Sequence, residues 1–468
     1  MKKAGVLMPI ASLPSPYLVG DFGPQAYKFA DMIRKAGYDL WQMLPLNTVG
    51  FGNSPYQCFS SKAIDPMYIS VDLLRKDGLI RKQYPKKETD TIDYMAAKHL
   101  KNEMLKEAYS RFKPDDEYRK FIKQPWVRKY AVFIAFKELH GNSCWNTWPD
   151  EYKNYPLTGN EKLTESNSEA INFQMFVQYE LFRQFGMLKK YVNDLGLTII
   201  GDIPFYVGID SDDVYFNREY FELDSDGRPI WIAGVPPDYF NDLGQRWGNP
   251  LYKWDLLQKD HYGLWFDRLN ANARIFDILR IDHFRAFDTY WKISEKEETA
   301  VNGEWIENCG EDFFRTLFKK YPDINIIAED LGDLRPEVHQ LRDKFNLMGM
   351  KIMQFTFFEP EKVRELCYIG THDNDSLTGW LKKESRAFRK QVRDVVSKKY
   401  PKDKFYDAVM KYTLGLKNEM VILSVNDITL DDRRINLPGT IGSPNWEYKI
   451  KNFRSLAQRL KVIRGERN

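Results

Sequence analysis

The sequence predicts an α/β fold, a (β/α)8 TIM barrel, on three observations. Eight short apolar runs suit buried parallel strands, amphipathic helical stretches follow several of them, and four carry an acidic residue at or just past their ends. At 468 residues a length prior of about three domains competes with a single barrel bearing insertions, which also runs beyond about 400 residues. The count of eight favours the single barrel.

The first run, "VLMPI" from Val6, is followed by "GPQAYKFADMIRKAG", in which Pro24 stands near a helix start and Gly37 just past its end. The second strand is "LWQMLP" from Leu40. Residues 50–175 then form a gap longer than a crossover needs and read as a mainly helical insertion. "TIIGDIPF" from Thr198 is the third strand, and 206–265 reads as a loop-rich insertion, an active-site lid. "ILRIDHF" from Ile278 is the fourth, trailed by a small insertion over 286–320. "NIIAEDL" from Asn325, "MKIMQF" from Met350, "CYIGTHDN" from Cys367 and "MVILSVND" from Met420 complete the eight. The stretch "NWEYKIKNFRSLAQRLKVI" predicts a last helix, and about 40 residues after the eighth strand leave no room for a C-terminal β-sandwich. The expectation is one barrel over 1–468 with three insertions.

Composition narrows the partners. Lys and Arg number 69 against 66 Asp and Glu, so no strong field points to nucleic acid or an acidic membrane. Aromatic residues reach 15%, and rings with an apolar face and a polar edge suit sugars, although most such rings fill cores. Cys58, Cys144, Cys309 and Cys367 have no metal-knuckle or redox spacing, which fits a reduced cytoplasmic setting. No apolar stretch reaches the length of about 18 residues that a bilayer span requires.

Working residues of such barrels sit at the carboxyl ends of strands. Asp202 ends "TIIGD", Asp282 ends "ILRID", Glu329 ends "NIIAE" and Asp373 follows "CYIGTH". Any one of them reads more readily as a helix cap in a βα loop, but four in separate units do not. Two carboxyls in different environments are what cleavage of a bond between sugars needs, one ionised and one protonated. Strand alternation puts Arg280 and Asp282 on one face, where the cation favours an ionised carboxylate suited to a nucleophile. Glu329 follows the apolar "INIIA", where desolvation favours the protonated form suited to a general acid. The same alternation points His283 away from Asp282, leaving a structural role and a ligand role equally open.

The motifs "RIDHFR", "IIAEDLG" and "GTHDND", in this order, resemble those of the amylomaltases, the 4-α-glucanotransferases related to the α-amylase group. "SLPSPYLVGDFG", "GNSPYQ" from Gly52, "GVPPDYFNDLGQRWGNPLY" from Gly234, "GMKIMQF" and "LPGT" extend the resemblance over nearly the whole chain. It implies Asp282 as nucleophile, Glu329 as acid/base and Asp373 as a carboxylate that binds sugar hydroxyls and stabilises the transition state. It further implies that Arg280, His372 and Asp202 hold the sugar ring and the nucleophile. Ser54, Tyr56, Tyr239, Phe240, Gln245, Trp247 and Asn436 would line neighbouring glucose sites. Where the family usually has Gly, Phe and Glu after "HFR", this chain has Ala286, Phe287 and Asp288, a change expected to narrow or reshape the acceptor side, the two left open.

The resulting expectation is a retaining transferase that moves a segment of an α-1,4-glucan to the 4-hydroxyl of another glucan or glucose. An α-1,4-glucan hydrolase shares the same carboxylates, and a non-catalytic glycan-binding protein needs fewer of them. No phosphate loop or spaced metal triad is recognisable, so neither cofactor nor metal is expected. Maltooligosaccharides are the expected partners, with a monomer or small homo-oligomer in the cytoplasm.

Overall fold

A computed structural model describes residues 2–237 and 241–464. Eight parallel strands form the barrel: β1 (Lys3–Leu7), β2 (Leu40–Gln42), β3 (Thr198–Ile203), β4 (Ile278–Ile281), β5 (Ile326–Ala328), β6 (Gly349–Ile352), β7 (Glu365–Tyr368) and β8 (Met420–Ser424). Their order around the sheet is β6-β7-β8-β1-β2-β3-β4-β5. The ring closes between β5 and β6 by one bridge, Ile327 with Met348, with the Ala328 amide donating to the Met348 carbonyl at 2.8 Å. All eight sequence-derived runs contain a strand.

Every strand ends before its apolar run does. Beyond the ordered pairing the chain turns outward, so "MQF" becomes a short helix, Met353–Thr356, and "VND" joins another, Val425–Thr429. Asp282, His283, Glu329, His372 and Asp373 therefore lie past the strand ends, where pleat alternation no longer sets their direction, whereas Asp202 and Arg280 remain within β3 and β4. The first helix runs Pro24–Lys35 with Gly37 at φ 82°, a left-handed conformation that glycine adopts without a Cβ penalty.

The helical stretch between β2 and β3 includes Tyr94–Arg111 and Pro125–Leu139, which pack with the long helix Ser168–Asp194 that leads into β3. It braces the barrel rim: Trp145 donates to the Ile209 carbonyl at 2.7 Å and buried Lys137 pairs with Asp210. The insertion over 206–265, read as loop-rich, and the small one over 286–320 share a sheet. Trp231–Val235 and Gln245–Pro250 join Thr289–Ser294 and Gly303–Glu307 in one antiparallel four-stranded sheet. Sequence patterning misses it because Gly, Pro and Asn interrupt Trp231–Val235 and Gln245–Pro250, and the pairing that joins the two hairpins, Trp231–Val235 with Thr289–Ser294, is distant along the chain.

The last helix is also shorter than expected, Arg454–Arg464 among the described residues. The segment before it is held extended by distant partners: Tyr448 bridges to Thr91, and the Ile450 amide donates to the Ser12 carbonyl at 3.1 Å. Tertiary bonds there override the helical periodicity.

Candidate active site

The register of β3 against β4 sets Asp202 opposite Arg280. Both are buried, and one guanidinium nitrogen donates to the two Asp202 oxygens at 2.6 Å each. The other terminal nitrogen lies 3.1 Å from Asp282 Oδ1. Asp282 follows the end of β4, and its amide donates to the Ile203 carbonyl at 3.0 Å, fixing it to the rim of β3.

Alternation ends at Ile281. His283 takes φ 52°, an uncommon conformation for a side-chain-bearing residue, and the parity that turned it away from Asp282 does not apply. This turn aims the His283 amide at Glu329 Oε2, 2.7 Å away. Two backbone bonds lock the same junction: the Glu329 amide donates to Ile281 and the Phe284 amide to Glu329, both at 3.1 Å. Asp282 and Glu329 thus occupy adjacent, mutually bonded strand ends.

Electrostatics separate the pair. Burial pushes the Asp282 carboxyl up to about 7; Arg280 opposes this, and the charges of Asp202 and Asp373 add to it. Arg280 alone predicts a downward shift, but its guanidinium is shared with Asp202. Asp282 keeps 29% of its side chain exposed, so cavity water relieves part of the push. Burial raises Glu329 well above the usual carboxylate range, and the neighbouring Asp282 charge raises it further. One proton shared by the two carboxyls therefore resides on Glu329.

Tyr56 joins the next group. Its hydroxyl donates to Asp202 Oδ2 at 2.7 Å and lies 2.8 Å from His372 Nε2. Because the tyrosine proton points to the carboxylate, the hydroxyl oxygen accepts from His372, which places that imidazole's proton on Nε2. Burial lowers the His372 pKa and keeps the ring neutral; its Nδ1 is buried without a partner. The same Nε2 lies 3.3 Å from Asp373 Oδ2, while Asn436 Nδ2 donates to Asp373 Oδ1 at 2.7 Å.

A cavity of about 580 Å³ opens above these groups. Of the residues expected from sequence, Ser54, Tyr56, Gln245, Trp247, Asp282, Asp373 and Asn436 line it; Arg280, Asp202, His372 and Glu329 do not. Tyr239 and Phe240 lie outside the described residues. His283 lines the cavity, with Trp247 edge-on at 4.8 Å between centroids. Its Nε2 has no partner, and burial depresses its pKa to about 3, so the ring is neutral.

Sequence reading passed over Tyr206, Gln57, Asn249 and Trp446, which also line the cavity. Gln57 was legible as part of "GNSPYQ" and Asn249 as part of the motif from Gly234, and the two pair at 2.9 Å; Tyr206 and Trp446 come from segments without a motif. Ala286 and Asp288 do not line the cavity: Ala286 is fully buried, and Arg335 grips both Asp288 oxygens at 2.5 and 2.9 Å. Their departure from the family pattern is absorbed in packing rather than in a narrower acceptor side.

A parallel eight-stranded barrel whose carboxyl rim joins buried carboxylates to an aromatic-walled cavity has the layout of a barrel enzyme. A family model described as 4-alpha-glucanotransferase matches residues 8–455. The 4-alpha-glucanotransferase of Thermus thermophilus is 37% identical, over 95% of this chain and 94% of its own. That of Aquifex aeolicus (strain VF5) is 34% identical over 96% of each. An amylomaltase from Streptococcus agalactiae, solved in complex with acarbose, superposes with a TM-score of 0.93 at 32% identity, covering 99% of this chain and 98% of that one. The chain belongs to the 4-alpha-glucanotransferase family.

Proposed function

We propose that this protein moves a segment of an α-1,4-glucan to the 4-hydroxyl of an acceptor glucan or glucose by a retaining double displacement. The observation that carries the assignment is the joined pair of strand ends, with Asp282 against Arg280 and Glu329 holding the proton. Glu329 donates that proton to the leaving oxygen while Asp282 attacks the anomeric carbon, forming a covalent glycosyl intermediate. The acceptor's 4-hydroxyl then returns its proton to Glu329 as it displaces Asp282, so bonds and protons balance.

Asp373, held by Asn436 and His372, takes sugar hydroxyls and favours the developing positive charge. Arg280 and Asp202 fix the nucleophile, and Tyr56 stacks parallel to His372 at 5.4 Å beside the same ring site. Ser54, Gln245 and Trp247 serve neighbouring glucose units, as do Tyr239 and Phe240. The chain acts as one catalytic barrel with insertions, as a monomer or small homo-oligomer in the cytoplasm; no helix among the described residues is long and apolar enough to cross a membrane.

The test is maltotriose alone, without nucleotide, cofactor or metal. Glucose and a ladder of longer maltooligosaccharides are expected at nearly constant total reducing ends, because each broken α-1,4 bond is remade. A steady rise in reducing ends without longer products would assign a hydrolase instead; untouched maltotriose would leave a binding protein.

A further inference from the structure

Two consecutive arginines in the segment after β8 face opposite ways. Arg433 reaches outward, donating to the Asp90 carbonyl at 2.8 Å and pairing with Asp431 at 2.7 Å. Arg434 reaches inward. Its Nε donates to the Asn436 carbonyl at 2.9 Å, one terminal nitrogen lies 3.0 Å from Asp375 Oδ1, and the other donates to the Asp373 carbonyl. The Asn436 amide completes the junction by donating to the His372 carbonyl at 3.0 Å. One planar guanidinium thus spans the backbones of two separate loops, one carrying Asp373 and the other carrying Asn436.

We propose that Arg434 is a positioning residue that sets the Asn436 carboxamide against Asp373. This rests on the role of Asp373 given above. Asp373 has two side-chain partners, and the shorter contact is the one from Asn436, at 2.7 Å against 3.3 Å from His372. Asn436 itself stands on a loop whose next residues are open to solvent, with Leu437 45% and Ile441 74% exposed. Packing there is thin, so direction must come from polar bonds at the base of the loop. An arginine fork with five fixed donors can bridge two carbonyls and a carboxylate at once, which a lysine point charge cannot. Arg434 touches no reacting atom; it acts through Asn436 and the Asp373 backbone.

The experiment uses the full chain and maltotriose. Arg434→Lys keeps the charge and is expected to lower kcat by about tenfold to a hundredfold, the scale of an ångström-size misplacement. KM should stay within about threefold and the melting temperature within a few degrees. On an Asn436→Ala background the same change should cost little more, since both act on one contact. Asp375→Asn, which leaves both carbonyl bonds in place, should keep at least half of kcat. Near-parental turnover in Arg434→Lys, a loss that adds fully to that of Asn436→Ala, a loss that follows a collapsed melting temperature, or an equal loss in Asp375→Asn would each overturn the proposal. A crystal structure of Arg434→Lys reads the same claim without turnover: Asn436 Nδ2 should leave Asp373 Oδ1, and an unchanged contact would overturn it. Failure of the parent protein to convert maltotriose would instead fall on the proposed function.

Discussion

At the scale of single residues, two carboxyls of similar intrinsic acidity are driven apart by where they sit. In the roles proposed above, Asp282 works ionised, so activity is lost as pH falls through its raised pKa near 7. Glu329 works protonated, so activity is lost as pH rises through a value well above the ordinary range. The kcat/KM profile should be a bell whose acid limb lies near neutrality, well above pH 4. An acid limb at pH 4 would show that Arg280 outweighs burial at Asp282. Asp282→Asn should reduce transfer by orders of magnitude while the folded state persists. Near-normal turnover in purified variant free of parental enzyme would remove the nucleophile assignment.

At the scale of elements, the four-stranded sheet built from two insertions contributes Trp247 to the aromatic wall of the cavity. Trp247 lies on its strand Gln245–Pro250, with its carbonyl held by Gln57 at 3.2 Å and its indole donating to Gln245 Oε1 at 3.2 Å. An aromatic ring over the acceptor side keeps water from the intermediate while a sugar stacks in its place. Trp247→Ala should therefore raise hydrolysis relative to transfer, measured as reducing ends formed per glucose released. A variant that loses only stability or overall rate, with that ratio unchanged, would make Trp247 a packing residue of the sheet. The sheet was illegible in the sequence because its two hairpins are joined only by the pairing of Trp231–Val235 with Thr289–Ser294, which lie on either side of β4 in the chain. The helix Pro24–Lys35 was legible because its start, stop and apolar face are all local.

At the scale of the whole molecule, the barrel is a ring of unequal seams. Five residue pairs join β1 to β8, whereas β5 and β6 meet through the single bridge of Ile327 and Met348. Local opening follows the weakest set of cooperative bonds. In native-state hydrogen exchange the Ala328 amide, which donates across that seam, should exchange before the amides of β1 and β8. Equal protection around the ring would mean that the covering helices, rather than strand pairing, hold the barrel shut.

What the sequence determined by itself was the set of eight strands, because buried parallel strands are written as continuous local apolar runs, and the placement of four carboxylates at or just past strand ends, because each follows such a run. Motifs and their order also carried the resemblance to glucan transferases. Tertiary structure alone decided where those side chains point. The apolar runs outlast the strands, so His283 enters the cavity through a left-handed turn against the direction that alternation assigned. It decided the proton as well: Arg280 stands two residues before Asp282 in sequence, yet its charge is divided with Asp202 from another strand, and burial prevails. The apolar runs and closing carboxylates are set by covalent neighbours and can be read along the chain, whereas the direction of His283 and the acidity of Asp282 are sums over neighbours that only folding brings together.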